Sequence, residues 1–63
     1  MPVIQIDLLK GKTIEQKRTL VKKITTACVE ALDCPADAVT IVLRDMEKTD
    51  YSLGGQLFAD KQS

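Results

Sequence analysis

The chain has 63 residues, 44% of them apolar, and nine basic and nine acidic side chains give a formal charge of zero. Balanced charge removes the cationic surface expected of a nucleic-acid binder. Two cysteines without histidine or a Cys-x-x-Cys motif argue against disulfide or metal reinforcement. Because a chain this short buries only about 60% of its unfolded surface, the single domain spanning 1–63 is expected to associate.

The first predicted element is a strand from Val3 to Lys10. Its residues alternate between an apolar face and a mixed face, as in a half-buried strand. The apolar face carries Ile4, Ile6 and Leu8. The run is too short for a signal-peptide core, contains Asp7 and lacks a preceding basic segment, so targeting and membrane insertion are disfavoured and a cytoplasmic protein is expected.

Pro2, directly before this strand, is a candidate base. Initiator methionine is usually trimmed before a residue as small as proline, so the working chain is expected to begin with a secondary amine. An α-amino group titrates near 8, and burial lowers its pKa further, which suits a base in a chain without histidine. If Met1 persists, the Pro2 nitrogen is an amide without basicity. Alternatively, the proline merely opens an edge strand.

A helix is predicted next, from Ile14 to Leu32. Thr13 followed three residues later by Gln16 is typical of a capping box at a helix start. The segment then keeps a helical period. The predicted apolar face carries Leu20, Val21, Ile24, Ala27, Cys28, Ala31 and Leu32. The helix is expected to cover a sheet and to end around 33–35, because Pro35 cannot continue it.

A second strand is predicted from Val39 to Arg44, because this run is rich in β-branched residues and alternates. Strand, helix and strand form a βαβ unit whose strands are parallel and whose crossover is right-handed. Two strands and one helix leave a sheet face and both edges open, which again predicts partner subunits. The tail, 47–63, contains Gly54-Gly55 and is predicted to form a turn and a short hairpin or arm.

Several short motifs occur in a characteristic order along the chain. They are Pro2, Leu9-Lys10-Gly11-Lys12-Thr13, Glu15-Gln16-Lys17, Met46 and Tyr51-Ser52-Leu53-Gly54-Gly55. Together they resemble the 4-oxalocrotonate tautomerase family across nearly the whole chain. The resemblance implies an α+β fold, a β-α-β subunit that dimerises and assembles as a homohexamer, a trimer of dimers. It also implies that Pro2 acts as general base and acid, without a cofactor, on small unsaturated 2-oxo or 2-hydroxy acids.

The resemblance assigns three further residues to substrate binding. Lys12 matches a basic residue that holds a substrate carboxylate, although lysine lacks the bidentate fork of arginine. Thr40 matches an arginine that polarises the substrate carbonyl, and threonine brings no positive charge. Tyr51 matches an aromatic residue before the glycine pair. Taken alone, Lys12 could equally be a solvated turn residue and Tyr51 a packing anchor.

One residue is a possible substitute for the missing arginine. Arg44 shares a strand face with Thr40, and we expect a separation of about 7 Å. It would then supply positive charge from a displaced position. The simpler interpretation is a surface or intersubunit salt bridge.

Three functions remain open from the sequence. The first is a cofactor-free tautomerase acting on a small carboxylate. The second keeps Pro2 but performs hydration, dehalogenation or decarboxylation, which needs a group to activate water; Asp7 or Asp50 could supply it at an assembly interface. The third is a catalytically silent structural subunit, which a retained Met1 and the neutral Thr40 would favour.

Overall fold

A computed structural model describes residues 1–61 of the chain. Its elements are strand β1 (Val3–Leu9), helix α1 (Ile14–Leu32), strand β2 (Thr40–Met46) and a hairpin of β3 (Ser52–Leu53) and β4 (Gln56–Leu57). Single 3₁₀ turns lie at Ala36–Ala38, Lys48–Asp50 and Phe58–Lys61. β1 and β2 are parallel neighbours, and β3 and β4 are antiparallel. The α+β fold, a β-α-β subunit with a short C-terminal hairpin, is confirmed.

The helix starts and ends where the sequence predicts. The Gln16 amide donates to the Thr13 hydroxyl at 3.0 Å, and the Thr13 amide donates to the Gln16 side-chain oxygen at 2.9 Å, which completes the capping box. At the other end Asp33 adopts a left-handed conformation with φ 56°, and its amide donates to the Val29 carbonyl at 3.0 Å. Both ends of α1 are therefore fixed by local hydrogen bonds.

The helix cap gives a first testable expectation. Thr13→Ala removes the hydroxyl that accepts from Gln16, so the free energy of unfolding should fall by about 1 kcal/mol. Urea unfolding at a fixed protein concentration measures the loss. Thr19→Ala is the matched control, because Thr19 lies in the helix interior, is exposed and makes no cap. Equal stability of the two variants would contradict the assigned role of Thr13.

The second strand differs from its predicted bounds at both ends. Val39 does not belong to it, because its amide donates to the Ala36 carbonyl at 3.1 Å and so completes the preceding 3₁₀ turn. The strand continues to Met46, which pairs with Leu9 of β1. The charge of Asp45 does not end the strand, because Lys17 of α1 donates to that carboxylate at 3.0 Å. β1 ends one residue before the predicted Lys10.

One face of the sheet lies under the helix, as the alternation predicts. Its half-buried residues are Ile4, Ile6 and Leu8 of β1 and Ile41 and Leu43 of β2. The helix brings half-buried Leu20, Val21, Ile24 and Cys28 towards them. Ala27, Ala31 and Leu32, predicted on the same face, are exposed. A helix of 19 residues is about 28 Å long, whereas strands of seven residues span about 23 Å, so the helix exceeds the strands by about one turn, which accounts for Ala31 and Leu32 but not for Ala27.

The opposite sheet face is open, and the protomer has no core of its own. Val3 is 63% exposed, and among residues 1–61 no side chain is fully buried. The radius of gyration is 15.0 Å, against about 11 Å for a compact chain of this length. Its extents are 45, 24 and 13 Å, so the protomer is a thin, elongated layer. A layer of this shape leaves apolar surface exposed, which is consistent with the predicted association.

The hairpin turn is built on the predicted glycine pair. Gly54 and Gly55 have φ values of 61° and 86°, the positive pair that a type I′ turn requires. The last two residues of the predicted tail, Gln62 and Ser63, lie outside the described residues. Across the part of the chain that is described, α1 and the shorter helical turns lack the length and hydropathy of a membrane span.

Candidate active site

Two of the predicted site residues meet at the amino end of the sheet. The Thr40 amide donates to the Pro2 carbonyl at 3.0 Å, one step before the ladder in which Val3 lies opposite Thr40. Pro2 is half-buried, whereas Met1 is 92% exposed. The strand pairing therefore fixes the backbone of Pro2, while Met1 projects into solvent.

A groove of about 230 Å³ lies at the other end of β1, where the chain turns into the helix. Its lining residues are Leu8, Lys12, Gln16, Lys17 and Leu20. Gly11, with φ 125°, makes the turn that leads to Lys12, and the Thr13 cap fixes Gln16 on the first helical turn. The groove thus has aliphatic walls and polar groups from the helix start, which is the composition of a small-ligand site.

The charges around this groove differ in how they are paired. The Lys17 ammonium donates to Asp45 at 3.0 Å, and the Lys10 ammonium donates to Glu47 at 2.9 Å, which raises the pKa of Lys10. Lys12 makes no ion pair or side-chain hydrogen bond with any of residues 1–61. Its ammonium is therefore the groove cation that is available to a ligand carboxylate.

Tyr51 lies in the arm that follows β2. Its ring is 5.7 Å from that of Phe58 at an interplanar angle of 50°, and the Phe58 amide donates to the Tyr51 carbonyl at 2.8 Å. Within residues 1–61 Tyr51 therefore packs in the arm, as an anchor would. Its predicted contact with ligand stays a prediction.

The Pro2 and Lys12 regions do not meet within one protomer. They flank β1 at opposite ends, and seven strand residues separate them by about 23 Å. A six-carbon acid spans less than half of that distance. A site that uses both residues needs the Pro2 end of one copy beside the groove of another.

The expected position of Arg44 is wrong. Thr40 and Arg44 are separated by four residues of a regular strand, which places them about 13 Å apart, not 7 Å. Arg44 also lies opposite Asp7 in the ladder, on the open face of the sheet. Within one protomer Arg44 is therefore too far from Thr40 to take its place directly, and a compensating role for Arg44 stays a prediction.

Sequence reasoning missed four lining residues of the groove, three of them on α1. The sequence places Gln16 in the helix cap and in the Glu15-Gln16-Lys17 motif, Lys17 in that motif alone, and Leu20 on the apolar face of the helix. Their spacing of i, i+1 and i+4 was the available signal, because it puts all three on one side of the first two helical turns. Leu8 could not be added until the helix was packed against β1.

Comparison with known proteins places the chain among enzymes. A family model described as tautomerase enzyme matches residues 2–61. A 2-hydroxymuconate tautomerase of Pseudomonas putida is 37% identical over 57 residues, 90% of each chain. A solved 4-oxalocrotonate tautomerase isozyme of Methylibium petroleiphilum superimposes with a TM-score of 0.92 at 43% identity, covering 97% of this chain and 95% of that one. A heterohexameric 4-oxalocrotonate tautomerase of Chloroflexus aurantiacus gives a TM-score of 0.88 at 28% identity, covering 95% and 97%.

Proposed function

The chain belongs to the tautomerase enzyme family, and we propose that it catalyses keto–enol tautomerisation of a small unsaturated 2-oxo or 2-hydroxy acid. The observation that carries this proposal is the position of Pro2. It is the first residue of the family match, it is half-buried, and strand pairing to Thr40 fixes its carbonyl. Removal of the exposed Met1 would leave the Pro2 nitrogen as a terminal secondary amine.

The proposed reaction needs only a proton carrier. The Pro2 nitrogen takes the proton from the enol oxygen of the substrate and returns it to a carbon of the same conjugated system. One O–H bond is broken, one C–H bond is formed, and the carbonyl is generated without a cofactor. The neutral amine that begins the cycle is regenerated at its end.

In this proposal the substrate binds in the groove at Lys12. The unpaired ammonium would hold the substrate carboxylate, while Leu8 and Leu20 contact its hydrocarbon part. Because this groove lies about 23 Å from Pro2 in the same chain, the working site would form between copies. We propose dimers within a homohexamer. A relative from Chloroflexus aurantiacus is a heterohexamer, so a second type of chain is the alternative.

Lys12 can be tested against its neighbour Lys10. Lys12→Ala should raise KM by about 10- to 100-fold, the value of one hydrogen bond to a charged group, with a smaller change in kcat. Lys10→Ala is the matched control, because Lys10 is already paired with Glu47 and does not line the groove. Steady-state kinetics with 2-hydroxymuconate measures both. A Lys12→Ala enzyme with the parent KM would remove Lys12 from the binding site.

The proposed function is tested on the purified protein in two steps. Mass spectrometry first establishes whether Met1 is absent. The loss of dienol absorbance is then followed with 2-hydroxymuconate and related enol acids, and the product is identified by NMR. The expected result is ketonisation well above the rate in buffer. A folded, Met1-free protein that accelerates none of these acids would instead support a silent subunit, and a hydrated or decarboxylated product would support the other Pro2-dependent reactions.

A further inference from the structure

Within the described residues, the segments that lead into the amino end of the sheet, 1–9 and 24–39, contain no lysine or arginine. Between Lys23 and Arg44 the sequence contains neither lysine nor arginine, and Lys10 is the first cationic side chain in the chain. The segment that leads into Thr40 instead carries Asp33 and Asp37, both exposed. The backbone segments that lead to Pro2 and Thr40 therefore carry acidic but no basic side chains.

Of the two described cations that line the groove, Lys12 is the one without an ion pair. Lys17 is occupied by Asp45 and Lys10 by Glu47, which leaves Lys12. The remaining polar group in the groove is neutral: the Gln16 side-chain oxygen accepts from Thr13, and its amide nitrogen has no partner within residues 1–61. Such a groove can neutralise one carboxylate and donate one further hydrogen bond.

The two ends together therefore limit the charge of the substrate. We propose that this site selects acids with one carboxylate over acids with two, an inference that rests on the proposed function. The single carboxylate binds Lys12, and the rest of the substrate extends towards the neutral surroundings of Pro2 and Thr40. A second carboxylate that is desolvated near Thr40 would gain only a neutral hydroxyl and no cation as its partner, which is unfavourable.

Binding of unreactive acids tests this inference without turnover. Sorbate and trans,trans-muconate share a six-carbon diene, and the methyl group of sorbate replaces the second carboxylate of muconate. In titration calorimetry with the Met1-free protein, the Kd of sorbate should be lower than that of muconate by a factor of about ten or more. This factor corresponds to the binding free energy lost when one charged group has no partner. Equal or tighter binding of muconate would overturn the inference.

A second pair of acids, which the enzyme could turn over, tests the same selectivity by kinetics. 2-Hydroxyhexa-2,4-dienoate and 2-hydroxymuconate differ by the same exchange of methyl for carboxylate. The first should have the higher kcat/KM, and a higher value for 2-hydroxymuconate would overturn the inference. If neither acid is turned over but sorbate still binds preferentially, the proposed function fails and the selectivity stands.

A charge placed at Thr40 should abolish the selectivity. Thr40→Arg adds a cation beside Pro2, so we expect the affinity for muconate relative to sorbate to rise at least about tenfold. Thr26→Arg adds the same charge to the exposed face of α1 and should leave the ratio unchanged. Circular dichroism and sedimentation confirm that both variants fold and assemble. An unchanged ratio in an assembled Thr40→Arg variant would contradict the role given to Thr40.

Discussion

Converting the Pro2 nitrogen from an amine to an amide should lower kcat by about 10²–10⁴, the usual contribution of a positioned proton carrier. The change is made by leaving one glycine before Pro2 after protease cleavage of a tag. The proline ring is kept, as is the hydrogen bond that the Pro2 carbonyl accepts from the Thr40 amide, and only the basicity of the nitrogen is lost. The extra residue occupies the place of Met1, which is 92% exposed, so the fold should tolerate it.

Two comparisons make this result specific to the nitrogen. The same chain cleaved to begin at Pro2 is the reference, and both preparations are checked by mass spectrometry and by their unfolding curves. Pro2→Ala with Met1 removed keeps a terminal amine, now primary, and is expected to keep part of the activity. If the glycine-extended protein turns over enol acids at the reference rate, Pro2 is not the proton carrier.

The elements that sequence predicts accurately are those fixed by local chemistry. Helix α1 has its predicted bounds because the capping box of Thr13 and Gln16 defines its start and Pro35 prevents its continuation. The I′ turn follows from Gly54-Gly55 in the same way. β2 was misplaced because its end depends on a distant contact: Asp45 stays in the strand while paired with Lys17, which lies 28 residues earlier.

For the candidate site, the sequence predicts the residues but not their arrangement. Resemblance to a family identifies Pro2, Lys12, Thr40 and Tyr51 one by one, but it does not state which of them share a protomer's surface. Only the parallel pairing of β1 with β2 shows that Pro2 lies beside Thr40 and far from Lys12. The groove around Lys12 is likewise a product of packing, because Leu8 meets the first helical turns only in the folded chain.

Introducing one charge on the open sheet face should dissociate and unfold the protein. Val42 lies at the middle of that face, opposite Gln5, and the protomer has no fully buried side chain within residues 1–61 to stabilise it alone. If this face is covered in the assembly, Val42→Asp buries an unpaired carboxylate, a cost of several kcal/mol against a typical total stability of about 5–15 kcal/mol. Sedimentation equilibrium and circular dichroism should show smaller, unfolded species.

A control variant with the same charge on a different surface distinguishes loss of assembly from a general loss of stability. Thr26→Asp places the same carboxylate on the exposed side of α1 and should lower the melting temperature only slightly. If folding is coupled to association, the parent protein should melt at a higher temperature as its concentration rises. The opposite result would be a Val42→Asp protein whose assembly has the parent's mass and whose melting temperature does not depend on concentration. The open face would then not be the interface between copies. A site formed by Pro2 of one copy and Lys12 of another would need a different interface.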